Sequence, residues 1–452
     1  MRLFLRMGLF LGFFAFFFLS SWHEVLASTL TVCASGCGYI TVNNALTSAV
    51  EGDIVEVRGV GTTATPYDPA GESWNIVFPN VSSTLTCTGD AVIGQADPTG
   101  LDTIVLSTSS TVSGCAFGNV SFMTPDPSPT SPSGIRIVNN TFSGVATSTI
   151  SLNGGAVNFE ISGNTNINFV DFKQTTSTNG LIENNTFYGS RNVDQTIMLR
   201  TSPSSSQIRI LNNAFTSYIT SPATVYMAVQ IEGFDQTFAT NTVRYAVTPP
   251  STMYASLLSH ASGTNYIGGN FIEVPPVAGA AGIDVWKGDD QPWVSQYAIV
   301  HNTIRASGGA SGGCVGIELT DGWGYLSLSS STVDFSYNLL LNDSTVLCDR
   351  KGISVRRSSS SVPITQTNSY NGVYGFTGGV IVETGVESSD VSDATTLTSN
   401  PFLKVNDIDA TNDLQTASFS PYLDVNGTED IGATMISRVS DIYVDDTGTI
   451  DY

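Results

Sequence analysis

Two windows carry the residues best suited to chemistry in this chain: Gly282-Ile283-Asp284-Val285-Trp286-Lys287 and Gly316-Ile317-Glu318-Leu319-Thr320-Asp321, in one frame 34 residues apart. Each alternates apolar and polar residues, so on a strand the apolar side chains turn one way and Asp284 or Glu318 the other. If the two strands are neighbours in register, Asp284 and Glu318 become stacked carboxylates on adjacent coils, the candidate catalytic pair. Such a pair has three uses. It can share a hard cation through oxygen ligands, which makes calcium the one cofactor these residues suggest. It can divide acid and base roles through split pKa values. It can also simply face water as part of a solvated strand surface.

The same alternation recurs in both directions. With the apolar residues taken as inward, the pairs Asp171/Lys173, Met198/Arg200, Gln230/Glu232, Asp284/Trp286, Glu318/Thr320 and Ser354/Arg356 are expected to face solvent on successive turns, with His260 supplied by an intervening one. Lys287, Arg356 and Arg357 could hold a substrate carboxylate. Trp286, Trp293, Trp323 and Tyr325 offer apolar faces to sugar rings, and the loop from Lys287 to Trp293 could form one wall. Together with Asp321, His260 and Glu232, these residues make up the candidate substrate-binding set. After an expected leader is removed, His260 and His301 are the only histidines, so His-centred zinc or triad chemistry has little material.

Something must hold these strands in register, and the sequence names it. Nine asparagines recur in the frame apolar-x-x-Asn-x-apolar: Asn140, Asn164, Asn185, Asn213, Asn241, Asn270, Asn302, Asn338 and Asn368. Most are preceded at three residues by Ile or Phe, and only Thr365, before Asn368, breaks the rule. Self-similarity at such a period marks a repeat architecture, in this case a solenoid with one revolution per asparagine. Asparagine suits a sharp bend because it tolerates the left-handed conformation. Equivalent asparagines on coils ~4.8 Å apart could also bond one another as an amide ladder. Abundant β-branched, aromatic, Gly, Ser and Thr residues favour strands and turns. The expected exception is a helix over 41–50, where Val42, Ala45, Leu46 and Ala49 share a face and Gly52 follows.

Composition narrows the setting. Residues 1–27 read as a secretory signal: Arg2 and Arg6, an apolar run from Met7 to Leu19, then Val25-Leu26-Ala27 as a cleavage site. No later stretch is apolar enough for an integral membrane span. The expected location is therefore secreted or cell-surface. The formal charge is −22, and only 12% of residues are charged, so the exterior is acidic yet dominated by hydroxyls and amides. Nucleic acid is disfavoured as a partner because phosphate contacts need clustered Lys and Arg. An anionic polysaccharide would need a local basic patch or a bridging cation. Six cysteines after the leader fit an oxidising compartment, and the expected pairs are Cys33–Cys37, Cys87–Cys115 and Cys314–Cys348. A Pro-rich stretch, Thr124 to Pro132, reads as a surface loop inside one domain spanning 28–433, with 434–452 as a tail or closing strand.

Three regions resemble the right-handed parallel β-helix proteins of the pectin-lyase-like superfamily. The opening, Tyr39 to Leu46 followed by Glu51-Gly52-Asp53-Ile54-Val55-Glu56-Val57, looks like that family's capping helix and first strand. The central turns match its Gly-Ile-x-apolar and apolar-x-x-Asn-x-apolar coils. The close, with Asn400-Pro401-Phe402-Leu403, Ser420-Pro421-Tyr422-Leu423-Asp424 and Asp430-Ile431-Gly432-Ala433, looks like the terminal coil of its secreted bacterial members. The resemblance implies an all-β, right-handed parallel β-helix with a short N-terminal capping helix. It also implies that the strand upstream of each asparagine frame lies on the sheet that lines the substrate groove in family enzymes. Those enzymes mostly cut acidic polysaccharides, by calcium-assisted elimination or by hydrolysis with aspartates. Neither the hydrolase signature with its companion His and Arg-x-Lys motifs nor the usual lyase motifs occur in this sequence, and fold alone does not give function. Two functions are therefore expected: interaction with polysaccharide or cell-surface glycan, as binder or depolymerase, and, as the alternative, a non-catalytic structural or adhesive surface protein.

Overall fold

The computed structural model describes residues 27–376 except 60, 63–64, 70–71, 73–74, 95–101, 126–130, 144–148, 173–175, 191–195, 220–225, 250, 287–294, 307–313, 321–330, 343–351, 357–363 and 370. Beyond these it describes Ile381–Glu383, Ala394–Thr396, Tyr443–Val444 and Ile450–Asp451. Residues 1–26 of the expected leader and the Pro-rich segment 126–130 lie outside the described residues.

Each revolution contributes up to three short strands, and each strand pairs in parallel with its counterpart on the next coil, so the chain is a parallel β-solenoid. One turn runs Met227–Phe234, Thr237–Ala239, Thr242–Tyr245; the first and last of these pair onward with Ala255–Gly268 and Phe271–Val274. We call the three ladders front, middle and rear. Front and middle ladders merge into one 24-stranded sheet because some strands, such as Ala255–Gly268, run through the corner between them, while the rear ladder forms separate sheets of three and eight strands. Inward side chains stack into a single core of Ile, Val, Leu and Phe that includes Ile137, Ile161, Ile182, Ile210, Phe238, Ile267, Ile299 and Phe335, the residues three before each ladder asparagine. The rings of Phe187 and Phe215 stack within it at 4.4 Å.

The amide ladder forms, with one change of member. Asn140, Asn164, Asn185, Asn213, Asn241, Asn270, Asn302 and Asn338 are all buried, and the side-chain nitrogen of each donates to the amide oxygen of the next, for example at 3.0 Å from Asn140 to Asn164 and from Asn302 to Asn338. The last member is Asn371, not Asn368, since Asn338 donates to Asn371 Oδ1 at 3.0 Å while Asn368 pairs with Phe335 in the preceding strand position. Asn371 has Val373 two residues on, the apolar position of the frame. At its other end the ladder stops on Cys115, whose N–H donates to Asn140 Oδ1 at 3.0 Å.

The left-handed bend also sits one residue earlier than expected. Positive φ belongs to the residue before each ladder member from Asn140 to Asn338, including Asn139 at 55°, Gly163 at 64°, Asn184 at 55°, His301 at 55° and Tyr337 at 58°. The ladder asparagine itself is chosen for its amide rather than for its backbone. His301 thereby becomes a corner residue stacked on Tyr337 at 5.0 Å.

Helix α1, Val42–Ser48, closes the start of the coil by burying Val42, Ala45 and Leu46, with Thr41 as N-cap accepting from Asn44 N. Glu72 adds its carboxylate to the Val42 and Asn43 N–H groups at 2.6 and 3.0 Å. Cys33–Cys37 and Cys87–Cys115 are bonded as expected. Cys314 is also in a disulfide, while Cys348, its expected partner, lies outside the described residues. The described pieces of the tail, Tyr443–Val444 and Ile450–Asp451, pair with each other antiparallel. Among the described residues, no helix is long and apolar enough to cross a membrane.

Where front strands leave the rear corner, glycines recur at Gly282, Gly316 and Gly352 because the coil closes there without room for a Cβ. A Cβ on Gly316 would lie 2.2 Å from Leu340 and 2.6 Å from the Gly352 carbonyl oxygen. Gly316→Ala is accordingly expected to cost about 1–3 kcal/mol through overpacking, read as a lowered urea midpoint. An unchanged midpoint would mean the corner can widen.

Candidate functional site

The front ladder positions the candidate residues. Its outward row runs in continuous register through Asp171, Arg200, Gln230, Leu258, Asp284, Glu318 and Ser354. Asp284 and Glu318 are therefore direct neighbours on one face. Two residues further along the same strands Glu232 stands beside His260, while the backbone of Trp286 pairs with that of Thr320 and Thr320 with Arg356. His260 and Trp286 meet edge to face, with ring centroids 4.6 Å apart. Four candidates from three turns, Asp284, Glu318, Trp286 and His260, thus come together with Glu232.

A line of polar contacts organises the N-terminal side. Thr196 Oγ1 donates to Gln230 Oε1 at 2.7 Å, and Gln230 Nε2 donates to Glu232 Oε1 at 2.7 Å. The same Glu232 oxygen stands 3.5 Å from His260 Nδ1. Glu232 is thereby aimed at the imidazole. In the neutral ring, a carboxylate beside Nδ1 keeps the proton on that nitrogen and leaves the Nε2 lone pair as an acceptor. His260 Nε2 and Trp286 Nε1 are both buried atoms with no hydrogen-bond partner.

Two corrections apply to the expected solvent-facing pairs. Met198 is buried in the core, because the register shifts between Thr196 and Leu199 and turns it inward. Asp284 and Glu318 point out of the coil, but they are only 8% and 6% exposed, so they are sheltered carboxylates rather than a solvated strand surface. Asp171 and Arg200 are similarly sheltered as a two-point ion pair, at 3.0 and 2.9 Å.

Sequence reasoning missed the aromatic residues beside Asp284. Met227, Ala255 and Leu258 form a small apolar cluster outside the main core, with Tyr226, Tyr254 and Trp286 packed against it. The rings of Tyr226 and Tyr254 lie 5.6 Å apart. Burial first, then the charge of Asp284 and the neighbouring Tyr226, push the Tyr254 phenol well above the ordinary tyrosine range. A signal existed in the sequence. Tyr226 and Tyr254 each stand immediately before a front strand, in frames Tyr-Met-Ala-Val and Tyr-Ala-Ser-Leu, but apolar alternation assigns no face to a residue ahead of the strand.

Lys287, Trp293, Asp321, Trp323 and Arg357 lie outside the described residues, as does Lys173, and Arg356 is described through its backbone alone. Among the described residues, no three His, Cys, Asp or Glu side chains gather as metal ligands. Asp284 and Glu318 would be the two oxygen donors available to a hard cation such as calcium.

The fold and the site define a parallel β-solenoid with a sheltered acidic and aromatic patch on one outer face. No family model matches the sequence, and no curated protein does either. Among solved structures the chain is similar to pectate lyase Pel9A, at 10% identity over 90% of this chain and 96% of that one, with a TM-score of 0.43. It is also similar to a PL6 alginate lyase in complex with a trisaccharide, at 10% identity, 88% and 89% coverage and a TM-score of 0.43. A third is the Streptococcus pneumoniae surface protein and adhesin PfbA, at 12% identity, 77% and 97% coverage and a TM-score of 0.39. Likenesses this distant assign neither family nor activity. The fold stands on the parallel register of the strands themselves.

Proposed function

We propose that this is an exported β-solenoid protein that binds polysaccharide across the outer face of its front ladder and hydrolyses it with Asp284 and Glu318. The observation that carries the reading is the register of Asp284 against Glu318, beside the Glu232, His260 and Trp286 row. Sugar rings present apolar faces and rims of hydroxyls, and this patch presents an indole beside acceptors. Neighbouring parallel strands are ~4.8 Å apart, which sets facing carboxyl groups at the order of the 5–5.5 Å spacing used by retaining glycosidases. In that arrangement one carboxyl protonates the leaving oxygen as the other attacks the sugar carbon, and water then breaks the new carboxylate–sugar bond, giving its proton back to the first carboxyl. That division of roles requires one of the two to hold a proton.

The second reading, a structural or adhesive rod without catalysis, is favoured by one observation: the uninterrupted amide ladder from Asn140 to Asn371 suits a stiff repeat array.

The test is direct. The mature protein is incubated with neutral and acidic polysaccharides, with and without calcium, while reducing ends, unsaturated products and binding are followed. Trp286→Ala is expected to weaken glycan binding by about 10–100-fold, the effect of removing a central aromatic anchor. Binding unchanged in this variant, with folding intact, would put the glycan contact elsewhere, and unchanged cell adhesion in it would favour the rod. Unsaturated product in place of reducing ends alone would replace hydrolysis by elimination.

A further inference from the structure

We infer that removal of the leader between Ala27 and Ser28 creates an ion pair, in which the new α-ammonium group of Ser28 binds the carboxylate of Asp53 and fixes the first strand of the coil. The cut adds water across the Ala27–Ser28 peptide bond. Ala27 leaves with the new carboxylate, and Ser28 begins the mature chain as an amine, which is mostly an ammonium at neutral pH. The enzyme implied is a leader peptidase, for which Val25 and Ala27 supply the small residues before the cut.

Asp53 is placed for this pair before the cut is made. Ser28 N donates to Asp53 Oδ1 at 2.8 Å and Ser28 Oγ donates to the same oxygen at 2.9 Å, while Val50 N donates to Oδ2 at 2.9 Å. The bond from Val50 first, and those from Ser28 after it, hold the carboxyl below the usual carboxylate range against the opposing cost of burial. It is therefore ionised at neutral pH while only 2% exposed, and in the uncut chain all three of these donors are uncharged. Hydrogen bonds between two charged groups are shorter and stronger than those between neutral ones. Cleavage puts the missing charge on a nitrogen already in contact with the carboxylate.

The position of the cut matters. A strand advances about 3.3 Å per residue, so a cut one residue earlier or later carries the amine out of reach of Oδ1. Ala27 and Ser28 are exposed, as a cut between them requires. Asp53 is also a junction of the first coils. Its carbonyl oxygen accepts from Thr84 N at 3.0 Å, and Ile54 N beside it donates to the Ser28 carbonyl at 2.9 Å. The ion pair thus clamps Thr29–Val32 onto Ile54–Arg58 at the point where their register begins, Thr29 against Ile54. The terminal rung of a repeat array opens locally before the rest, so an anchor at this end protects the stretch where the coil is weakest.

Export of the full chain, followed by N-terminal sequencing and intact mass, is expected to give Ser28 as the first residue. Any other first residue would overturn the inference. Four purified chains then separate charge from hydrogen bonding: one beginning at Ser28, one beginning at Leu26 so that Ser28 N stays an amide donor, and Asp53→Asn in each. Amide hydrogen exchange is followed across Thr29–Val32 and Ile54–Arg58. With Asp53 present, the chain beginning at Ser28 should exchange there about three- to tenfold more slowly than the chain beginning at Leu26, between the worth of an exposed ion pair and that of a charged hydrogen bond. The two Asp53→Asn chains should exchange alike, because the amide oxygen accepts from either nitrogen and carries no charge. Exchange at Thr186–Gly189, several coils away, should be the same in all four and shows that each is folded. Equal exchange in the two chains that keep Asp53, or a difference that persists in Asp53→Asn, would overturn the ion pair.

Discussion

Replacing Asn213 by aspartate is expected to lower the unfolding free energy by about 3–5 kcal/mol, although the two side chains have the same shape. Asn213 is fully buried, and its amide makes four bonds. Its nitrogen donates to Asn241 Oδ1 at 3.0 Å and to the Ile182 carbonyl at 2.9 Å. Its oxygen accepts from Asn185 N and Asn185 Nδ2, both at 3.0 Å. Aspartate keeps the two acceptor contacts and loses both donors, so two buried oxygens are left facing a third that carries charge. The deficit should shrink at acidic pH, where the protonated acid supplies one of the two missing donors. Asn179→Asp is the control. Asn179 donates to Asn158 at 2.6 Å on the exposed surface, and its replacement is expected to cost under about 1 kcal/mol. Urea midpoints of the three proteins decide the matter. Equal midpoints for Asn213→Asp and wild type would remove the amide ladder as the element that holds the coils.

Asp284→Asn and Glu318→Gln should each reduce the release of reducing ends by at least about 100-fold, the lower range for loss of a positioned acid or base. Glycan affinity should change only slightly, because each amide keeps the shape and a hydrogen-bonding oxygen. Each change is isosteric, so the coil should stay folded, as circular dichroism would check. Activity and binding therefore separate, which a merely structural role would not produce. If both variants release reducing ends at the wild-type rate, Asp284 and Glu318 are not the catalytic pair. If wild type binds glycan yet releases nothing, the patch is a binding site alone.

Much of the fold could be read from single rungs. The frame around Asn140 or Asn213 states its own period, its inward residues and its bend, and every repeat restates them. Thr41, Val42, Ala45 and Leu46 likewise announce a capped helix within a few residues. Where the frame weakens, the sequence no longer marks the corner. Asn368 and Asn371 lie three residues apart in a stretch whose apolar marker had become Thr365, and only the pairing of Asn368 with Phe335 separates the corner from the strand. Met198 departs from simple alternation for a related reason. A register shift between Thr196 and Leu199 turns one side chain over, and alternation carries no mark of it.

The candidate site was legible as strand faces and no further. The common frame of Ile283-Asp284 and Ile317-Glu318 placed two carboxylates on neighbouring coils, because a period of two fixes the face once the apolar side is known. The apolar cluster beside Asp284 was not legible, since it is built from Tyr226 and Tyr254, which stand ahead of their strands, and from Leu258 on an outward position.

What the sequence determined alone is what each rung repeats: the parallel coil, the buried amides, the capping helix and the face of each strand. What the tertiary structure decided is which different side chains meet across rungs, above all Glu232, His260 and Trp286. The physical reason is the variable length of the revolutions. Successive ladder asparagines are separated by as few as 21 residues, between Asn164 and Asn185, and as many as 36, between Asn302 and Asn338. Loops absorb that difference, and residues far apart in the chain come into register only when the coils have closed.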